Sequence, residues 1–296
     1  MRDAFCNALI AHSARPNFVF LTGDLGFKAL EPLRGAMGSR FINAGVAEQN
    51  MICVAAGLAR AGVRAWAYSI APFLYARPFE QIRNNIAMPR LPVVLVGNGG
   101  GYGYGVMGST HHALEDYGVM LTLPNIRIFI PAFDADLAPI VKILMDSSFP
   151  AYLRLGLDEL RADVPPYAPW RKLISGTHGT LLVAGPGVGG MVEAIRNLSP
   201  SKRPSLWLLS ELPITDVPQE FLDDLGHSGH LLVAEEHVKT GGVGQMIVHY
   251  LVSASVPIPR FTHRYAVGYP SGLYGSQKFH RRESLLDPAS IIAALA

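Results

Sequence analysis

The sequence predicts an α/β protein with a mainly parallel sheet between helices in its first domain and a smaller second α/β domain. Short apolar runs alternate with longer helix-like segments through the first half of the chain, which is typical of parallel sheets. The runs are continuous in Val, Ile and Leu, as expected for strands covered on both faces. A length of 296 residues fits two domains.

The first domain is expected over residues 1–156, where the apolar runs define its elements. The candidate strands are 18–21, 63–67, 92–96, 126–130 and 151–154, and the candidate helices lie near 47–61, 73–87, 113–121 and 134–147. Strands that alternate with helices in this way pair in parallel, because each helix carries the chain back to the start of the next strand.

A linker is expected over residues 157–170, which hold Pro165, Pro166 and Pro169 and show no clear periodicity. The second domain is expected over residues 171–296. Its candidate strands are 181–184, 206–209 and 231–234, and its candidate helices are 191–198 and a terminal helix that opens near Asp287. Proline directly after an Asp cap is a common helix start.

The composition limits the classes of function. The chain is 49% hydrophobic and 16% charged, below the roughly 25% of typical domains, so we expect extra burial against partners. Its 25 basic and 23 acidic side chains nearly cancel, which does not favour nucleic-acid binding. No run suggests a membrane span or a signal peptide, and a cytoplasmic location is expected. Cys53 lies in an apolar run and is predicted to be a small core residue.

Glu48 is the carboxylate that stands out in this chain. It heads an almost uncharged run, residues 51–59. Poor solvation favours the protonated form of a carboxyl group, and a carboxyl that can hold or share a proton suits acid/base chemistry. The alternative is a glutamate in the first turn that stabilises a helix N-terminus.

Six segments in order carry a resemblance to a known family. They are 22–26, 40–51, 68–74, 79–84, 108–116 and 152–156. Together they resemble the pyrimidine-binding domain of transketolase-type thiamine diphosphate enzymes. Glu235, Glu236 and His237, followed by 241–244, are similar to the C-terminal domain of that family and are interpreted as structural or interface residues. The resemblance covers nearly the whole chain.

The resemblance implies a binding site for the cofactor thiamine diphosphate. Glu48 would hydrogen-bond a ring nitrogen of its aminopyrimidine, and Phe73 is the best match to a phenylalanine that stacks on that ring. A second aromatic of the family is replaced here by Ile70. The loop with Asp24 and Leu25 follows a candidate strand, where open α/β sheets bind ligands, and would lie at the cofactor and the dimer interface. The alternatives are core packing for Phe73 and a turn-forming role for Asp24.

The resemblance also implies substrate contacts. His111, in the motif Thr110-His111-His112, would contact oxygen atoms of the donor, and Arg154 would bind substrate phosphate. A structural salt bridge is the alternative for Arg154. The family has an acidic residue four positions before this histidine, where the chain has Met107, which suggests a less hydroxylated or unusual substrate.

Seven glycines crowd the stretch from residue 97 to residue 108, with Tyr102 and Tyr104 between them. So many glycines permit positive φ angles and close backbone contacts. We interpret the stretch as a mobile rim of the active site that orders when a partner or substrate binds. The alternative is a flexible surface loop.

The diphosphate-binding signature of a complete transketolase, Gly-Asp-Gly, is absent from the sequence. The resemblance therefore implies the C-terminal subunit of a split transketolase, with no metal ligands of its own. An N-terminal diphosphate-binding subunit would supply the diphosphate contacts and most Mg²⁺ ligands. The apolar helix after Glu48 suggests a homodimer core that carries two partner chains, a heterotetramer.

The expected reaction moves a two-carbon ketol, or a related acyl unit, from a ketose-type donor to an aldehyde acceptor, with a sugar or sugar phosphate as substrate. Three alternatives stay open. They are the beta subunit of a 2-oxo-acid dehydrogenase first component, a deoxyxylulose-phosphate synthase-like enzyme, and a non-catalytic relative. The Thr110-His111-His112 motif argues against the first, and the joint presence of Glu48, Phe73 and His111 argues against the last.

Overall fold

The computed structural model describes residues 1–26, 28–157 and 164–295. They form one seven-stranded sheet and one five-stranded sheet with helices packed around them. Among these residues, every helix is too short or too polar to cross a membrane.

The first sheet is parallel over six of its seven strands. These six are β1 (Phe18–Thr22), β2 (Phe41–Asn43), β3 (Arg64–Ile70), β4 (Val94–Asn98), β5 (Arg127–Phe129) and β6 (Ala151–Leu155), in the spatial order β5-β6-β4-β3-β1-β2. Because the strands point the same way, the loops that follow them open at one edge of the sheet.

Helices cover both faces of this sheet. They are α1 (Arg2–Ile10), α2 (Glu31–Met37), α3 (Glu48–Arg60), α4 (Ala71–Tyr75), α5 (Phe79–Ile82), α6 (Asp116–Met120) and α7 (Leu137–Asp146). An aromatic core of Phe5, Phe20 and Trp66 lies between one face and the α1, α2 and α7 side. The core on the other face, beneath α3 and α4, continues into the second domain.

The second sheet has five strands, which are β7 (Trp170–Ile174), β8 (Thr180–Ala184), β9 (Ser205–Leu209), β11 (His230–Glu235) and β12 (Arg260–Arg264). Their spatial order is β12-β11-β8-β9-β7, with only β7 antiparallel to its neighbour among the described strands. The strand between β9 and β11, β10 (Glu211–Leu212), instead pairs antiparallel with β5 and becomes the seventh strand of the first sheet. The helices of this half are α8 (Val188–Arg196), α9 (Gln219–Ser228), α10 (Val243–Ser253), α11 (Gln277–Glu283) and α12 (Pro288–Ala293).

The predicted α/β fold class is confirmed, and each of the eight predicted strands is present within three residues at either end. Four further strands, β2, β7, β10 and β12, were not predicted. The strands β2 and β10 are only two or three residues long, and β7 and β12 carry charged side chains at the sheet edge, so none of them forms a long apolar run. Residues 158–163 of the expected linker lie outside the described residues.

Two local expectations were wrong. The helix predicted over 73–87 is divided into α4, α5 and a π-helical turn, Arg83–Ala87. Pro78 lies at the break, because proline lacks the N–H that a continuous helix needs. Cys53 is exposed rather than buried, because it lies on the face of α3 opposite Met51 and Ile52.

Candidate active site

Four parallel strands end at the same level of the first sheet and place the predicted site residues close together. The strand register pairs Thr22 with both Asn43 and Tyr68, so β1, β2 and β3 end side by side. Asp24 follows β1, Glu48 follows β2, and Phe73 follows β3 within α4. The chain after β4 brings His111 to the same edge, against Phe73.

Glu48 is the first residue of α3, and 5% of its surface is exposed. Its Oε1 accepts a hydrogen bond from Ser69 Oγ at 3.3 Å, and its Oε2 accepts one from Arg77 Nη1 at 3.0 Å. The run that follows Glu48 in sequence is almost uncharged, but Arg77, from a different segment, lies against the carboxylate.

Arg77 connects the two residues expected at the cofactor. Its guanidinium carbon lies 3.9 Å from the centre of the Phe73 ring, while its Nη1 bonds to Glu48. The Arg77 side chain is 47% exposed. The sequence did not indicate this residue, because Arg77 lies in the turn between α4 and Pro78, where no helical spacing connects it to Phe73.

Phe73 is half-buried and packs against His111 rather than filling the core. The ring centres of Phe73 and His111 lie 5.2 Å apart at an interplanar angle of 66°. Thr110 Oγ1 lies 2.9 Å from His111 Nδ1, and the Tyr104 ring lies on another side at 5.6 Å. Among the described residues, none hydrogen-bonds His111 Nε2, so this nitrogen is available to a ligand.

Asp24 and Leu25 line the neighbouring loop. Asp24 is exposed, its Oδ1 accepts a hydrogen bond from Asn43 Nδ2 at 3.0 Å, and its N–H donates to the Gly45 carbonyl at 3.3 Å. Both residues border a cavity of about 440 Å³. Ile70 ends β3 and precedes α4 without a polar role of its own. Cofactor contacts for Asp24, Leu25 and Ile70 stay predictions.

Arg154 is buried at the end of β6. Its Nε donates to Asp116 Oδ2 at 2.8 Å, and its Nη2 donates to the carbonyls of Ala113 and Glu236 at 3.0 and 2.9 Å. Burial opposes the charge, but the Asp116 carboxylate together with the hydroxyls of Tyr117 and Tyr152 outweighs that effect and raises the pKa of Arg154. These contacts favour the salt-bridge alternative, and phosphate binding by Arg154 stays an untested prediction.

Glu235 and His237 join the two domains beside this ion pair. Glu235 accepts hydrogen bonds from the N–H groups of Val243 and Gly244, at 2.7 and 2.9 Å, and from the Tyr117 hydroxyl. The His237 ring stacks on Tyr117 at 3.8 Å, and burial lowers the pKa of His237. The contacts agree with the interpretation of this motif as structural.

Comparison with known proteins identifies the class. A family model described as the transketolase pyrimidine-binding domain matches residues 1–162. The chain belongs to the transketolase family. It is 31% identical over 270 residues to a subunit of the apulose-4-phosphate transketolase of Phocaeicola vulgatus, and the match covers 87% of this chain and 85% of that protein.

Two further comparisons extend the family match. A structure described as a split gene transketolase, an inactive beta4 tetramer, aligns with a TM-score of 0.83 at 28% identity over 99% of this chain and 96% of that chain. The 1-deoxy-D-xylulose-5-phosphate synthase of Myxococcus xanthus is 28% identical over 261 residues, which cover 83% of this chain and 43% of that protein. The family predicted from the sequence is confirmed.

Proposed function

We propose that this chain is the C-terminal subunit of a split transketolase-like enzyme that uses thiamine diphosphate. It transfers a two-carbon ketol, or a related acyl unit, from a ketose-type donor to an aldehyde acceptor. The observation that carries the proposal is the convergence of Glu48, Phe73 and His111 at one sheet edge, with Arg77 in contact with two of them. The similarity to a subunit of apulose-4-phosphate transketolase supports it.

The geometry around Glu48 and Phe73 fits an aminopyrimidine. Arg77 is a flat group with N–H donors, and it already contacts the Phe73 face and the Glu48 carboxylate at once. A flat heterocycle with a hydrogen-bonding edge makes the same two contacts. When bound, thiamine diphosphate supplies the carbanion chemistry. Glu48 would hold a proton at a ring nitrogen of the cofactor, and Phe73 would orient the ring in the place that Arg77 now occupies.

His111 and Met107 are the residues proposed to face the substrate. The His111 ring lies beside Phe73 with its Nε2 open. The proposed role of this nitrogen is a hydrogen bond to an oxygen of the donor. Met107 is 53% exposed in the short helical turn Gly105–Met107 and presents a thioether instead of a carboxylate. A thioether accepts hydrogen bonds only weakly, which supports a less hydroxylated donor.

A partner subunit completes this proposed site. Among the described residues, no group of three or more His, Cys, Asp or Glu side chains could hold a metal ion. We propose that the N-terminal diphosphate-binding subunit supplies the Mg²⁺ ligands. The description of the structural neighbour as an inactive beta4 tetramer supports a need for that partner. The uncharged surface of α3 at Cys53, Val54 and Gly57 is the proposed homodimer contact within a heterotetramer.

The similarity to 1-deoxy-D-xylulose-5-phosphate synthase favours a second candidate function, in which an acetyl unit is transferred in place of a ketol. A 1-deoxy product carries a methyl group where a ketol product carries a hydroxymethyl group. The donors pyruvate and hydroxypyruvate differ by that hydroxyl. Preference of the assembled complex for hydroxypyruvate supports ketol transfer, and preference for pyruvate supports the second candidate.

The test of the proposal is calorimetric titration of thiamine diphosphate with Mg²⁺. The titration is made into this chain alone and into its mixture with a candidate N-terminal subunit. We expect binding only in the mixture, and we expect its loss in Glu48→Gln and Phe73→Ala. Glu220→Gln, an exposed change on α9, is the control and keeps full binding. Absence of binding in both samples contradicts the proposal and favours a non-catalytic relative.

A further inference from the structure

The glycine-rich loop, residues 97–108, is anchored by the second domain. Tyr102 is fully buried, and its N–H donates to Glu236 Oε1 at 2.7 Å. Its hydroxyl donates to the carbonyl of Gly268 and accepts from the N–H of the same residue, each at 3.0 Å. The loop therefore differs from the mobile rim interpreted from the sequence, because contacts within this chain hold it.

Ring packing and two glycines keep the loop against the second domain. The Tyr102 ring stacks on His280 at 4.8 Å. A Cβ on Gly101 would lie 2.8 Å from the Glu236 side chain, and one on Gly108 would lie 2.7 Å from the Tyr274 ring. Both glycines also have positive φ, so other residues would be strained as well as crowded.

His112 makes the polar connection between the loop and the second domain. Its Nε2 lies 2.8 Å from the Gly105 carbonyl, and its Nδ1 lies 2.8 Å from the Tyr269 hydroxyl. Because a carbonyl can only accept, Nε2 carries the proton and Nδ1 accepts from Tyr269. Burial lowers the pKa of His112, which favours the neutral ring that this arrangement requires.

The position of His111 depends on its neighbour His112. The N–H groups of both residues donate to the Gly108 carbonyl, at 3.0 and 3.1 Å, so one tight turn carries both rings. The His112 ring points to the second domain, while the His111 ring packs on Phe73. A turn that is fixed through His112 therefore also fixes the direction of His111.

We propose that the second domain positions the donor-binding histidine of the first domain, through the hydrogen bond from Tyr269 to His112. Tyr269 and His112 are positioning residues, since neither lies at the cofactor edge. The proposal rests on the role of His111 given above. It assigns to the second domain a part in substrate binding that leaves the contacts of Glu48 and Phe73 with the cofactor unchanged.

The first test uses Tyr269→Phe in the chain assembled with its partner subunit. The change removes one hydroxyl and leaves the ring, so Nδ1 of His112 loses its donor. We expect the KM for hydroxypyruvate to rise about tenfold, with kcat changed less and the Kd of thiamine diphosphate unchanged. An unchanged KM, or a loss of cofactor affinity equal to the rise in KM, overturns the proposal.

The second test needs neither substrate nor cofactor. Amide hydrogen exchange of the purified chain should be at least about fivefold faster over residues 99–112 in Tyr269→Phe, with β4 unchanged, and the imidazole NMR signals of His111 should shift. Tyr250→Phe on α10 is the matched control, since no hydrogen bond of its hydroxyl is found among the described residues. Unchanged exchange and unchanged His111 signals overturn the inference. Lack of cofactor binding by the unaltered complex contradicts only the proposed function.

Discussion

Two buried glutamates, Glu48 at the start of α3 and Glu235 at the end of β11, show how differently the two halves of this molecule use a carboxylate. Glu235 accepts hydrogen bonds from two backbone N–H groups of α10, from the His263 ring and from the Tyr117 hydroxyl. Burial opposes its charge, but the hydrogen bond from His263 and the other contacts lower the pKa of Glu235. Glu48 has a long bond from Ser69 and a half-exposed Arg77.

The difference separates a structural carboxylate from one that is available to a ligand. Every bond of Glu235 comes from a group that is fixed by the fold, and the site is closed to water. The cation that pairs with Glu48 belongs to the half-exposed Arg77 side chain, which can move into solvent at a cost of about 1 kcal/mol or less. Glu235 should therefore matter for stability, and Glu48 should matter for binding.

The largest expected effect is on stability at Glu235. Glu235→Gln places an amide N–H₂ against backbone donors, so the free energy of unfolding should fall by about 3 kcal/mol. Glu48→Gln should lower the free energy of unfolding by about 1 kcal/mol or less. Urea unfolding of both variants measures the difference, and equal losses would remove the distinction between the two carboxylates.

Substitutions of Arg154 and Arg77 should differ in their effect on stability, as those of Glu235 and Glu48 do. Arg154→Gln leaves Asp116 buried without its cation and should lower the free energy of unfolding by about 3 kcal/mol. Arg77→Gln, which changes an exposed cation, is the matched variant and should change stability by less than about 1 kcal/mol. If instead Arg154→Gln keeps its stability and loses affinity for phosphorylated substrates, the phosphate-binding role predicted from the sequence is restored.

Three buried histidines of the domain contact, His112, His237 and His280, should make stability depend on pH. Burial lowers each pKa from its ordinary value of 6.5. Below about pH 6.5 the unfolded chain binds protons that the folded chain resists, so stability falls as the pH drops; above it both forms are neutral and the effect vanishes.

Urea unfolding from about pH 7.5 to about pH 5 measures this dependence, with a slope approaching about 1.4 kcal/mol per pH unit for each histidine. His237→Gln should reduce the slope. His227→Gln, at an exposed position of α9, should leave it unchanged. A stability that is flat over this range would show that the histidines of the domain contact accept protons without loss of their contacts.

Arg77 should compete weakly with the cofactor. Arg77→Ala removes the group that covers Phe73 and bonds to Glu48, so the Kd of thiamine diphosphate in the complex should fall by up to about fivefold. Calorimetry measures the change, with Arg83→Ala as a nearby exposed control. Weaker binding in Arg77→Ala would mean that this cation helps to hold the cofactor.

The smallest expected effect concerns Met107. Met107→Asp adds a hydrogen-bond acceptor four residues before His111, so the ratio of kcat/KM for a polyhydroxylated donor to that for hydroxypyruvate should rise about threefold or more. Rate measurements with both donors in the assembled complex give the ratio. An unchanged ratio would remove Met107 from the residues that set donor choice.

The sequence predicted most strands and the residues at the sheet edge, but not the contacts between them. Long apolar runs mark buried strands such as β4, and the resemblance located Glu48, Phe73 and His111. Whether Arg77 turns toward Glu48 depends on the break at Pro78 and on packing, which no local pattern records.

The domain contact was less predictable still. Tyr102 contacts residues 134 or more positions later in the chain, and nothing in a glycine-rich stretch indicates which distant residues will cover it. From sequence alone, the glycine-rich stretch suggests a flexible loop. Glycine is also required where folded backbone segments come into close contact, so the same residues fit a loop that is held tightly.

One short strand has a consequence for how the gene can be divided. The strand β10, from the second half of the chain, closes the edge of the first sheet beside β5. A break between the two domains would leave β5 with an open edge, the kind of edge that promotes aggregation. We therefore expect fission and fusion of such genes to keep these two domains in one reading frame.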